Sequence, residues 1–123
     1  MSKLSPMDGQ EHPVPQHWRA WFHDIADQFR AGNFQLRDCS IAIVAPNSAR
    51  DAKFFAQSVA AYGSPLTPLS DETWRYARCR WMDGYWRIVV DLTTSDESVS
   101  DLALHAELTE DEGTLKIVSL HVP

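Results

Sequence analysis

The stretch that decides the fold is "WRYARCRWMDGYWRIVVDL", residues 74–92. It holds three of the chain's five tryptophans and four of its eleven basic residues. At its centre Asp83-Gly84 separates two runs of alternating side chains. A two-residue Asp-Gly turn is the strongest short hairpin signal, because both residues tolerate the positive φ that a type I′ turn demands. Strands are therefore expected at 73–82 and 85–94.

The turn sets the register. Met82 opposes Tyr85, Trp81 opposes Trp86, Cys79 opposes Ile88 and Ala77 opposes Val90. Side chains alternate across a strand. Trp81, Trp86, Cys79, Ile88, Ala77, Val90 and Leu92 then share an apolar face that should meet the core. The other face carries Trp74, Tyr76, Arg78, Arg80, Tyr85, Arg87, Val89, Asp91 and Thr93. Arg80 directly opposes Arg87 there, and like charges so placed are destabilising. Acids of the next strand are expected to offset them. Leu92 must share a face with Leu102 and Leu104, which excludes a two-residue turn in "TTSDESVS" and favours a loop of three or five. Two registers remain open: Arg87 against Glu107, or Arg87 against His105.

Outward from the hairpin, strand 99–109 alternates Leu102, Leu104, Ala106 and Leu108 with polar partners, and strand 114–122 follows the turn "EDEG". Upstream, "PQHWRAWFHDIADQFRAGN" places Trp18, Phe22, Ile25 and Phe29 on one helical stripe, with Pro15 in the first turn and Gly32-Asn33 as the stop. "CSIAIVAP", 39–46, reads as a short buried strand or extended link. "NSARDAKFFAQSVAAYG" is a second helix, capped by Ser48 with Asp51 and ended by Gly63. The expected fold is α+β, with two helices packed on one face of a curved antiparallel meander of four to five strands. Residues 1–14, proline-punctuated and aperiodic, are expected to be a disordered tail, with a single domain over 15–123.

At 123 residues the chain is long enough for one core without staples. The cysteines, Cys39 and Cys79, lack CxxC spacing, which points to a reducing compartment. No apolar run is long enough to span a membrane, and the N-terminus has no signal-peptide h-region, so a cytoplasmic location is expected.

The net charge is −6. Between Ile88 and Leu115 lie eight acids and no Lys or Arg. Such a field repels nucleic-acid phosphates and attracts a basic protein. No motif for nucleophilic catalysis, nucleotide binding or metal ligation appears. His105 with Asp91 or Glu107 is a possible dyad that reads more simply as part of a charge ladder. His23 and Asp27, near His12 and His17, lack a third metal ligand. The expectation is therefore no enzyme activity, no cofactor, no metal and no nucleic-acid partner.

The segments "IADQFRAGNF", "YGSPLTPLSDETW", "W..GYWRIVVDLTTSDESVSDLALHAELTE" and "SLHVP" resemble a family of small uncharacterised bacterial proteins, a domain of unknown function. The likeness spans residues 18–123 and implies a bacterial origin and a stand-alone domain, with no site residues attached. A helix followed by a curved sheet is also superficially similar to NTF2-like and cystatin-like folds.

The functional expectation is an immunity or inhibitor-type protein that neutralises a basic partner, a toxin or effector. Asp96, Glu97, Asp101, Glu110, Asp111 and Glu112 would steer it, and Trp74, Tyr76 and Tyr85 would anchor it. The alternative is a small-ligand binder or SnoaL-like enzyme with a pocket between sheet and helices. A dimerisation module using the sheet's outer face is a third reading, so the chain is expected to be a monomer or homodimer.

Overall fold

The computed structural model describes residues 7–37 and 39–123. The chain folds as α+β, with two α-helices and one five-stranded antiparallel sheet in the order β1-β2-β3-β4-β5. The strands are β1 (Glu11–Pro13), β2 (Arg78–Trp81), β3 (Tyr85–Asp91), β4 (Ala103–Thr109) and β5 (Leu115–His121). The helices are α1 (Gln16–Arg30) and α2 (Ala49–Tyr62).

Local chemistry explains both helix ends. α1 stops in a Schellman arrangement: Gly32 takes φ 90°, and the Asn33 amide donates to the Gln28 carbonyl at 2.8 Å. α2 begins where the Ser48 hydroxyl accepts from the Asp51 amide at 3.0 Å, and it ends at Gly63, φ 87°. The hairpin turn also behaves as its residues dictate, with φ 60° at Asp83 and 138° at Gly84.

The core closes around tryptophan. Trp18 of α1 meets Trp86 of β3 edge-on at 5.6 Å, and Trp81 meets the same ring at 5.3 Å. Trp18 and Trp86 are both fully buried. Phe29 joins α1 to Phe55 of α2 at 6.3 Å. Ile88, Val90, Leu104, Leu108 and Leu120 complete the buried side of the sheet. Val44 makes a single parallel bridge to Leu115 just after a turn closed by its amide on the Ile41 carbonyl at 3.2 Å, so the 39–46 segment is neither a strand nor fully extended but an irregular link.

Three expectations need correction. The region assigned to a disordered tail through residue 14 contributes β1, which pairs with β2 through Glu11, His12 and Pro13, and Val14 is buried. Residues 1–6 of that tail lie outside the described residues. The long strand 73–82 is instead a 3-10 helix, Asp71–Arg75, followed by the shorter β2. Thr73 drives the change: its hydroxyl donates to the Asp91 carbonyl at 2.5 Å, and its carbonyl accepts from the amides of Tyr76 and Ala77. That pairing coils the backbone where a strand would extend. Finally, the loop between β3 and β4 is longer than three or five residues. The Leu92 amide still donates to the Leu102 carbonyl at 2.9 Å, so the loop runs from 93 to 101 and keeps the odd parity that the core requires.

Candidate functional site

Because neighbouring strands are antiparallel and in register, side chains on the outer face form rows across the sheet. One row reads Glu11, Arg80, Arg87, Glu107, Lys116 from β1 to β5. The register left open by the sequence is thus Arg87 against Glu107, with Val89 against His105. The Arg80–Arg87 opposition is real, and each arginine has a carboxylate residue as its other lateral neighbour. The Glu11 position was invisible in the sequence because β1 is only three residues long and ends in proline.

A second row brings Pro13, Arg78, Val89, His105 and Ser119 together. His105 stacks on His121 at 4.8 Å. Its Nε2 is buried and has no hydrogen-bond partner among the described residues. Burial, then the neighbouring His121 and Arg87, hold its pKa below the usual histidine value. A shallow cleft of about 210 Å³ lies on this face, lined by Glu11, Arg78, Arg80, Arg87, Val89 and His105.

The steering acids expected from the sequence do not form one surface. β3 has 7 residues. At a rise near 3.3 Å per residue its two ends stand about 20 Å apart. Tyr76, Asp96, Glu97 and Asp101 gather at the end where Asp91 pairs with Ala103. Tyr85, Glu110, Asp111 and Glu112 gather at the end where Tyr85 pairs with Thr109.

The first group is tied down. The Tyr62 hydroxyl donates to Glu97 Oε1 at 2.5 Å and accepts from the Asp101 amide at 3.0 Å. The bond to Glu97 raises the phenol's pKa. The Ser64 hydroxyl donates to Asp96 Oδ2. Ser70 donates to the Ser98 carbonyl at 2.6 Å, and Ser98 donates to Glu72 Oε1 at 3.2 Å. The loop is thereby sewn to the end of α2 and to the 3-10 helix, which terminates at Tyr76. Partial burial, reinforced by Asp101, pushes the Asp91 carboxyl above its usual value. Among the described residues, no Lys or Arg forms a salt bridge with Asp96, Glu97 or Asp101.

In the second group, Asp111 accepts from the Thr109 hydroxyl and the Gly113 amide, bonds that stabilise its ionised form and shape the turn. Glu112 accepts from His17 at 3.2 Å. Tyr85 is half-buried beside Thr109.

The aromatic anchors also divide. Trp74 is only 7% exposed, a correction to its expected outer position. The 3-10 helix turns its ring onto α1, edge-on to Phe22 at 6.3 Å, where its Nε1 donates to His23 Nε2 at 3.2 Å. The Arg19 guanidinium sits over the same ring, 5.4 Å from its centroid. His23 is thus engaged by an indole, and Asp27 faces Arg30 at 3.5 Å. Tyr76, by contrast, is 56% exposed. Of the cysteines, Cys79 is buried with its thiol donating to the Pro13 carbonyl at 3.5 Å, and Cys39 donates to Asp24 Oδ2 at 3.2 Å. Among the described residues no cluster of three or more His, Cys, Asp or Glu side chains is arranged to hold a metal, and no helix is long and apolar enough to cross a membrane.

Compared with known proteins, the chain matches no curated protein and no solved structure. A family match covers residues 26–123, from the last third of α1 to the last residue. The chain belongs to that family, described as a domain of unknown function (DUF7668).

Proposed function

We propose that this protein is a binding module of the inhibitor or immunity type, which neutralises a basic protein partner, a toxin or effector, by covering its working surface. The observation that carries this reading is the loop at 93–101. The Glu97 and Asp96 carboxylates are held by Tyr62 and Ser64, the Asp101 amide donates to the same Tyr62 hydroxyl, and none of the three carboxylates is paired with a Lys or Arg among the described residues. A fixed, uncompensated acidic surface steers a basic partner and loses little side-chain freedom when it docks. Exposed Tyr76 borders it, an amphipathic aromatic of the kind that anchors interfaces.

The alternative, a small-ligand or SnoaL-like site between sheet and helices, has less to rest on. Trp18, Phe22, Trp86, Ile88 and Leu104 fill the space such a pocket needs.

The test is affinity capture from the native host on the immobilised protein. A specific partner is expected to elute as salt rises, because screening shortens the reach of surface charge. Its capture is expected to weaken in Tyr76→Ala. Capture that is insensitive to both salt and Tyr76→Ala contradicts the proposal.

A further inference from the structure

The geometry points to a second site, an oxyanion-binding cleft on the outer face of the sheet, in which Arg78, Arg80, Arg87 and His105 take the phosphate group of a phosphate monoester. The cleft is the 210 Å³ hollow over Val89. Three arginines line it, and among the described residues no carboxylate oxygen lies within 4.0 Å of their guanidinium nitrogens.

Two of the three are anchored to backbone carbonyls. Arg78 Nη1 donates to the carbonyls of Arg75 at 2.9 Å and Ala77 at 2.8 Å. Arg80 Nε donates to the Gly9 carbonyl at 2.6 Å, a contact that exists only because the segment before β1 folds back over β2. Each keeps further N–H donors uncommitted, since a guanidinium carries five. The Arg87 guanidinium makes no hydrogen bond among the described residues, so all five of its N–H donors are uncommitted.

The charge arrangement selects the ligand. Arg80 opposes Arg87, a placement that disfavours the empty face and that an anion between them would turn to advantage. A carboxylate has one charge and two oxygens, which a single bidentate guanidinium satisfies. A phosphate monoester carries about −1.5 to −2 charges at neutral pH and three acceptor oxygens, a closer match to three guanidiniums. His105, whose buried Nε2 has no partner among the described residues, belongs to the same lining and is the fourth polar side chain there. Glu11, itself on the lining, and Glu107 beside Arg87 restrict the site to one phosphate group, because a second would meet a carboxylate. The same acids, with the net charge of −6, disfavour a nucleic-acid backbone.

The test is an NMR titration of the intact protein with inorganic phosphate and with glycerol phosphate, against chloride at matched ionic strength. A phosphoserine peptide forms a separate arm. Saturable shifts are expected at Arg80, Arg87 and the His105 ring, with a Kd of about 1 mM or tighter for the monoester. Arg87→Gln, which removes no internal hydrogen bond, is expected to keep the rest of the spectrum and to weaken binding roughly tenfold, the loss of about one charge-assisted hydrogen bond. Tighter binding of the peptide than of glycerol phosphate would assign the group to a phosphorylated protein; equal binding would assign it to a free small molecule. Shifts that do not saturate and match those in chloride would overturn the site. So would Arg87→Gln and Arg80→Gln both titrating like the wild type.

Discussion

Arg80 and Arg87 stand directly opposite one another on β2 and β3, and the next residue outward in the same row is a glutamate on each side, Glu11 and Glu107. Neither glutamate's carboxylate comes within 4.0 Å of a guanidinium nitrogen, so the compensation is lateral and solvent-screened rather than a closed ion pair. Glu107→Lys is therefore expected to lower stability by up to about 1 kcal/mol, by placing cations side by side in the row. Urea denaturation at low and high salt checks this. The difference should shrink near 1 M salt, where the screening length falls to about 3 Å. In phosphate-free buffer Arg87→Gln should be neutral or slightly stabilising.

The place of Trp74 gives a larger effect. Its ring is packed against Phe22, bonded to His23 and covered by Arg19. Trp74→Ala is expected to cost about 3–5 kcal/mol, as truncations of buried aromatics do. Tyr76→Ala, two residues on and exposed, should change stability by no more than about 0.5 kcal/mol. Chemical denaturation of the two variants separates a buried Trp74 from an exposed one. Equal small effects would return Trp74 to the surface.

Stability should depend on pH through His105 and Asp91 with opposite signs. The folded-state pKa of His105 lies below 6.5. The unfolded chain therefore binds a proton more readily, and stability falls as pH drops from about 6.5 through the lower folded value. The folded-state pKa of Asp91 lies above 3.8, so its ionisation opposes folding and protonation relieves that opposition at more acid pH. The groups facing His105 are Arg87 and His121, and the one facing Asp91 is Asp101. His105→Gln should flatten the decline below pH 6.5, and Asp91→Asn should raise stability at neutral pH. Denaturation midpoints across pH 4–8 check both.

The rigidity of the acidic loop depends on Tyr62, whose hydroxyl serves Glu97 and the Asp101 amide together. Tyr62→Phe is expected to speed hydrogen exchange at the Asp101 amide while leaving the Val90 amide, in the core of β3, unchanged. Exchange at Asp101 as slow as in the wild type would mean that other contacts hold the loop.

Much of this architecture was legible in the sequence wherever a pattern repeats. Asp83-Gly84 dictated the pairing of Trp81 with Trp86 and of Arg80 with Arg87, and the stripe Trp18, Phe22, Ile25, Phe29 dictated α1. Hydrophobic parity required an odd loop after Leu92 but not its length, because "TTSDESVS" holds several serines and threonines able to cap a turn. Trp74 and Tyr76 alternate just as strand residues do. Bonds to partners distant in sequence, from Thr73 to Asp91, from Ser70 to Thr93 and Ser98, and from Trp74 to His23, hold that segment coiled with Trp74 inward. β1 carried no period at all, and its pairing depends on register with β2. The acids 96–112 read as one run, yet a strand lies between its two halves and carries them to opposite ends of the sheet.

The most direct measurement of the proposed function compares two charge reversals in partner binding. Asp101 and Glu110 are both exposed, and neither side chain has a hydrogen-bond partner among the described residues, so Asp101→Lys and Glu110→Lys should fold alike. They sit at opposite ends of β4, at the tethered acidic loop and at the β4–β5 turn. Capture of the partner from the native host, quantified side by side, is expected to fall at least several-fold in Asp101→Lys and to stay near wild type in Glu110→Lys. Undiminished capture by Asp101→Lys would contradict the account.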